Sequence, residues 1–282
     1  GWAFLGRGKG PGLLTPGLIG GNIRLGKPLG EGGMGVVHEG QDEKLNRPAA
    51  VKRLRDNMKD DPKGRARFLE EARTVASLKH PNIVVLYQII EEGGEIYLVF
   101  ERVEGKTLHA AIQENPQKRL SLDETARILK MTCEAVDYAH THQVLHRDLK
   151  PSNIMIENGT VKVMDFGLAR TFRTGADVQT ASMTGTAVYM SPQQAMGEVS
   201  RESDIYSLAI CAYEMLTGQL PFQGPFATQE KLEGRFLPLA DQGLGASAAL
   251  DDVFKKAFDP DRKKTFHSGA EFWDAFTAPR AN

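Results

Sequence analysis

The chain has 282 residues, enough to bury a sizeable core and long for a single lobe, so its length points to one two-lobed catalytic unit or to two domains. Its 35 basic and 36 acidic side chains give a formal net charge of −1, which excludes the basic footprint that nucleic acid or an anionic membrane would need. The longest apolar run, around Leu208–Ala212, falls far short of the ~20 residues that cross a bilayer, so the expectation is a soluble body with no membrane contact from this segment. Cys133 and Cys211 both lie in helical apolar patterns, as buried thiols of a reducing, cytoplasmic compartment do. An anchor or sensor domain could still lie outside this segment. Residues 1–22 are rich in glycine and proline and read as a flexible lead-in or tag remnant.

From Ile23 to Leu29 apolar and polar residues roughly alternate, the period of a half-buried strand, and lead into Gly30-Glu31-Gly32-Gly33-Met34-Gly35-Val36-Val37. Glycines at this spacing are weak evidence alone. A dinucleotide-binding fold would open a helix after the last glycine, whereas Val36–Gly40 continue as a strand, and no Gly-Lys-Ser/Thr closes a Walker loop. What remains is a glycine-rich hairpin whose backbone N–H groups can approach a triphosphate closely. The next strand, Arg47–Leu54, carries one lysine, Lys52, of a type usually solvated on strands. A helix is predicted over Gly64–Leu78 from the stripe Phe68, Ala72, Val75 and Leu78, with Glu71 and the more solvent-facing Glu70 about 100° apart on it.

His80-Pro81 ends that helix, because proline disfavours helix in the residue before it. Strands over Val84–Ile90 and Ile96–Phe100 follow, joined by a turn at Glu92–Glu95. Ser121, with Glu124 as reciprocal cap, then starts a helix that is apolar at Ala126, Leu129, Cys133 and Val136. It delivers the chain to His146-Arg147-Asp148-Leu149-Lys150-Pro151-Ser152-Asn153. Beyond lie an extended Ile154–Ile156, a turn at Asn158-Gly159, a returning Val161–Met164, and Asp165-Phe166-Gly167. Two carboxylates, an amide and an ammonium brought together in this way suit phosphoryl transfer: one carboxylate orients a hydroxyl, the other and the amide hold Mg²⁺, and the ammonium neutralises the moving group. His146, flanked by Leu145 and Arg147, reads as a packed core histidine without chemistry.

As one spaced set, these residues strongly resemble the eukaryotic-like (Hanks-type) serine/threonine protein kinases, especially bacterial members, over about residues 23–276. The resemblance implies an α+β, two-lobed protein kinase fold with a small β-rich N-lobe (23–103) and a larger, mainly helical C-lobe (104–278). It implies that Leu29, Gly30, Glu31, Gly32, Gly33, Met34 and Gly35 cover the phosphates of ATP and that Val37 packs on adenine. Lys52 would contact the α- and β-phosphates and pair with Glu71. Phe100 takes the gatekeeper place, and the backbone of Glu101 and Val103 would meet adenine. Asp148 would orient the acceptor hydroxyl, Lys150 would lie on the γ-phosphate, and Asn153 and Asp165 would hold Mg²⁺, with Mn²⁺ as the alternative metal. The wording Leu149–Asn153 favours serine/threonine over tyrosine, so proteins with Ser/Thr acceptors are the implied partners. Back-to-back pairing in similar bacterial kinases makes a homodimer an expectation by resemblance alone. A pseudokinase scaffold that binds nucleotide or partners without turnover is the competing class.

Arg147, beside the catalytic carboxylate, suits bidentate capture of a phosphate. The segment 168–191 offers Thr171, Thr174, Thr180, Ser182, Thr184 and Thr186; autophosphorylation is expected on one or more of Thr180, Ser182 and Thr184, and Thr186 is the expected brace of Asp148 and Lys150. Asp204 resembles the buried aspartate that accepts backbone N–H groups from the catalytic loop, although an N-cap would also suit it. The chain departs from the family at Gln193, where a glutamate is usual, and at Lys263, where its arginine partner is usual. A Gln193–Lys263 contact is therefore expected to compensate. Past Phe222 the chain reads as loop until Ala248, then as helix through Phe258 and again over Ser268–Phe276, a tail shorter than the family's.

Overall fold

Residues 17–32, 35–54, 61–168, 187–242 and 248–280 are described by a computed structural model of the chain. The alternating segments of the first hundred residues form an antiparallel sheet of order β1-β2-β3-β4-β6-β5, made by β1 (Leu18–Ile19), β2 (Ile23–Gly32), β3 (Gly35–Asp42), β4 (Arg47–Leu54), β5 (Leu86–Glu92) and β6 (Glu95–Glu101). Gly93 and Gly94, at φ 60° and 81°, make the tight turn between β5 and β6. Helix α1 (Pro62–Ala76) starts where Asp61 accepts from Gly64 N at 2.9 Å and Pro62 presets φ. Its buried Phe68, Leu69, Ala72 and Val75 join the main core with Leu86, Leu98 and Phe100. Strand β5 begins two residues later than the alternation predicts. Residues 82–84 are spent on the other lobe instead: Asn82 Nδ2 donates to Val161 O at 2.8 Å and Val84 N to Val163 O at 2.9 Å.

The C-lobe holds α2 (Leu108–Glu114), α3 (Leu122–Thr141), α4 (Pro192–Ala195), α5 (Arg201–Thr217), α6 (Ala227–Glu233), α7 (Ala248–Ala257) and α8 (Gly269–Thr277). A second antiparallel sheet is formed by β7 (Lys106–Thr107), β8 (Ile154–Glu157) and β9 (Thr160–Val163). The Ser121–Glu124 capping box is present at α3, and α5 is buried at every residue from Ser203 to Leu216. No helix among the described residues is long and apolar enough to cross a membrane. Helix α6 stands where loop is expected, because its seven residues, none of them buried, leave no apolar period to read.

The closing helix α8 seats on α3 through close backbone approach. Asp137 accepts from Gly269 N at 2.7 Å and Ala270 N at 2.8 Å, and Trp273 Nε1 donates to Ala126 O at 3.1 Å. A Cβ on Gly269 would sit 2.8 Å from Cys133 Cβ and 2.9 Å from its Cα, so the two helices would have to separate. Gly269→Ala is accordingly expected to cost about 1–3 kcal/mol by overpacking and to lower the melting temperature by roughly 5 °C. Thermal denaturation of the variant checks this, and an unchanged midpoint would contradict the close packing.

The expected Gln193–Lys263 contact does not form. Gln193 Nε2 donates instead to Pro260 O, while Lys263 is exposed. A neutral amide is satisfied by a backbone carbonyl without a counter-charge, so Lys263 can keep its hydration, which a buried pairing would have removed.

Candidate active site

The hairpin β8–β9 turns through Asn158 and Gly159, both at positive φ (49° and 80°), in the register Ile154↔Val163 to Glu157↔Thr160. Met164 N then donates to Asn153 O at 2.9 Å, and this closure returns the chain at Asp165 beside the loop 146–153. Between the two halves lies His146, fully buried and 4.7 Å from the Phe166 ring, centroid to centroid. Asp148 N donates to its Nδ1 at 3.3 Å, which puts the ring proton on Nε2, 2.9 Å from Met164 O. Burial holds its pKa below the ordinary histidine value, in keeping with a neutral, structural ring.

Lys150 Nζ donates to Asp148 Oδ2 at 2.9 Å, and Asn153 Nδ2 to Asp148 O at 2.7 Å and to Oδ2 at 3.3 Å. The other oxygens of this pair, Asp148 Oδ1 and Asn153 Oδ1, are buried and have no hydrogen-bond partner among the described residues. Two such acceptors call for a donor or a cation beyond the described residues.

Asp204 underpins the loop. Its Oδ2 accepts from His146 N at 2.8 Å and His140 Nε2 at 2.7 Å, and its Oδ1 from Arg147 N at 2.9 Å. The N-cap of α5 is Ser200, so the N-cap alternative for Asp204 falls away. Arg147 is held at φ 68°, an unusual region for a long side chain, and Gln194 Nε2 secures its carbonyl at 2.6 Å.

Lys52 stands on β4, 7% exposed, but its partner is not Glu71. Its ammonium lies 2.8 Å from Asp165 Oδ1. Burial by itself would raise the Asp165 carboxyl, yet the Lys52 ammonium outweighs it and the pKa lies below the ordinary value. Glu71 of α1 meets the Arg147 guanidinium, which also donates to Gly167 O at 3.3 Å. The expected Lys52–Glu71 pair is thus replaced by two others. All four side chains are long or acidic and can reach more than one opposite charge, so the setting of α1 against the catalytic loop decides who pairs.

Overhead, β2 and β3 bring Leu29, Gly30, Glu31, Gly32 and Gly35 into a hairpin, with Gly30↔Val37 and Glu31↔Val36 in register, while Gly33 and Met34 lie outside the described residues. Gly35 has φ 150°, and a Cβ there would fall 2.0 Å from Arg53 O. Val37 is partly buried against the main core and Phe100 is 6% exposed. The Glu101 N–H is already donated to Val85 O at 2.8 Å, so any backbone contact it makes to a ligand is through its carbonyl. Its carboxylate takes Lys162 Nζ at 2.8 and 2.9 Å and ties the end of β6 to β9; Val103, two residues on, is partly buried. Spacing gave no sign of Lys162, Gln194 or the His140–Asp204 contact, each of which depends on a residue remote in sequence. Thr171, Thr174, Thr180, Ser182, Thr184 and Thr186 lie outside the described residues.

A family model described as protein kinase domain matches residues 23–242. The chain belongs to the protein kinase family. It is 39% identical over 270 residues to the serine/threonine-protein kinase PknB of Mycolicibacterium smegmatis, covering 92% of this chain and 43% of that protein. PknB of Mycobacterium tuberculosis is likewise 39% identical over 272 residues, with the same coverage. Among solved structures, the kinase domain of M. tuberculosis PknI superposes with a TM-score of 0.78 at 25% identity, covering 96% of this chain and 100% of that one. The chain spans less than half the length of the curated relatives it matches. This kinase has the family's two-lobed fold, a strand-rich N-lobe and a helical C-lobe.

Proposed function

We propose that this kinase transfers the γ-phosphate of ATP to serine and threonine hydroxyls of proteins, its own segment 168–191 among them. The observation that carries the reading is the pair of buried oxygens without a partner among the described residues, Asp148 Oδ1 and Asn153 Oδ1, beside the Lys150 ammonium. Asp148 Oδ1 can accept the proton of an acceptor hydroxyl and aim its oxygen. Lys150, already anchored on Oδ2, brings positive charge to the place where negative charge moves. Since the phosphoryl transition state is loose, orientation and charge neutralisation contribute more than basicity. Asn153 Oδ1 and the Asp165 carboxylate fit a divalent cation of the hard, oxygen-preferring kind, Mg²⁺ or Mn²⁺. When bound, such a metal neutralises the phosphate oxygens of ATP. Cys133 and Cys211, both free and buried, suit a reducing compartment where ATP is at hand, and we place the domain in the cytoplasm.

The charge pairing suggests how the site is controlled. Arg147 holds Glu71 while Asp165 holds Lys52, and Arg147 Nε is buried without a partner among the described residues. A phosphate on Thr180, Ser182 or Thr184 would offer Arg147 a more highly charged acceptor and free Glu71 for Lys52.

Incubation with γ-labelled ATP and Mg²⁺ tests the reading. Label is expected on the chain and on a generic protein acceptor, phosphopeptide mapping is expected to place it between Asp165 and Pro192, and a metal chelator is expected to abolish it. No label on either protein sinks the assignment. Label on the acceptor with none in that segment removes only the self-phosphorylation.

A further inference from the structure

The turn Ala187–Tyr189, leading into Met190, has each of its carbonyls taken by a side chain from the C-lobe. Lys231 of α6 donates from one ammonium to Ala187 O at 3.1 Å, Val188 O at 2.7 Å and Met190 O at 2.9 Å. The remaining carbonyl, Tyr189 O, accepts from Ser207 Oγ of α5 at 2.8 Å, and the Tyr189 hydroxyl donates to Glu214 Oε2 at 2.7 Å. Lys231 also lies over the Phe222 ring, 6.0 Å from its centroid. Among the described residues no carboxylate stands within ion-pair distance of it, and burial lowers its pKa to about 8.

Lys231 is half-buried, so its ammonium loses part of its hydration without a counter-ion among the described residues, and its three donors are spent on backbone carbonyls. Surface lysines ordinarily stay hydrated; this one bridges α6 to residues 187–190, which run into the Ser191-Pro192 start of α4. With every carbonyl drawn inward, the turn presents Val188, 37% exposed, on its outer side. We propose that Lys231 is a positioning residue for the acceptor protein: by gathering the carbonyls of 187, 188 and 190 it fixes the surface on which the acceptor chain lies, without touching nucleotide. This rests on the proposed Ser/Thr kinase function, with residues 187–192 taken as the segment that meets the acceptor peptide.

Steady-state kinetics with a Ser/Thr acceptor peptide separate the roles. Lys231→Met is expected to raise the peptide KM about tenfold, the scale of losing one to two hydrogen bonds to a charged group, while the ATP KM stays within about twofold. Lys231→Arg, which keeps charge and donors in a planar fork, is expected to give an intermediate peptide KM. If Lys231→Met does not fold, Lys231→Arg carries the test, with a peptide KM expected about threefold above that of the unaltered kinase. A wild-type peptide KM in Lys231→Met or, failing that, in Lys231→Arg overturns the inference, as does an ATP KM that rises in step. If the unaltered kinase labels no acceptor at all, the function falls first and this inference with it.

Discussion

Asp148→Asn is expected to slow phosphotransfer by roughly 10³-fold, the middle of the range for a positioned proton acceptor. The substitution keeps the shape of the side chain but loses its charge at a point where two donors converge. Lys150 Nζ and Asn153 Nδ2 both reach Oδ2. An amide that keeps its oxygen on both donors turns its NH₂ group to the Oδ1 position, and that group cannot accept a hydroxyl proton. The pair proposed to face the nucleotide, Lys52 with Asp165, is untouched. The loss should therefore fall on kcat, with the ATP KM and the melting temperature near those of the unaltered protein. Single-turnover phosphorylation of an acceptor peptide measures it. A rate within tenfold of the unaltered protein would show that orientation by Asp148 is not the main contribution.

Asp204→Ala is expected to do most of its damage to stability. One carboxylate, 1% exposed, accepts from two consecutive backbone N–H groups and from His140. Its removal leaves buried donors unpaired, at roughly 1–3 kcal/mol for each group, and releases the restraint on Arg147 at φ 68°. The sum is about 3–5 kcal/mol, which for a domain of this size lowers the melting temperature by roughly 10 °C. Phosphotransfer should fall with it even where the protein stays folded, because the Asp148–Asn153 geometry hangs on the same two amides. Asp204→Asn retains one acceptor oxygen and should lie between. Thermal melts of the two variants decide the matter, and equal midpoints for Asp204→Ala and the unaltered protein would refute the role.

The two substitutions differ in how far their targets could be read from the residues alone. Asp148 could be located because its partners Lys150 and Asn153 lie within five residues, and because the Asn158-Gly159 turn has only one short way to bring Asp165 back. The capping box of α3 and the stripe of α1 are equally local, and both stand at their expected residues, whereas α1 already closes at Ala76, with Ser77 as its C-cap, before Pro81 can end it. Resemblance pointed to the contacts of Asp204, but the reading of the residues themselves left an N-cap open, since nothing in the spacing ties it to amides 57 and 58 residues earlier.

What the sequence by itself determined was the order of the longer strands and helices, the glycine hairpin, the turn chemistry and the cluster from His146 to Asp165. These depend on φ preferences, caps and short-range periodicity, which act over a few residues. Only the tertiary structure decided who pairs with whom: Lys52 with Asp165, Glu71 with Arg147, Gln193 with Pro260 O, and Lys231 with three carbonyls of a remote turn. A long charged side chain has several partners within reach, and their Coulomb energies differ by only a few kcal/mol at protein dielectric constants. Shifts of a few ångströms between lobes or helices are enough to choose among them, and such shifts are set by the packing of the whole chain.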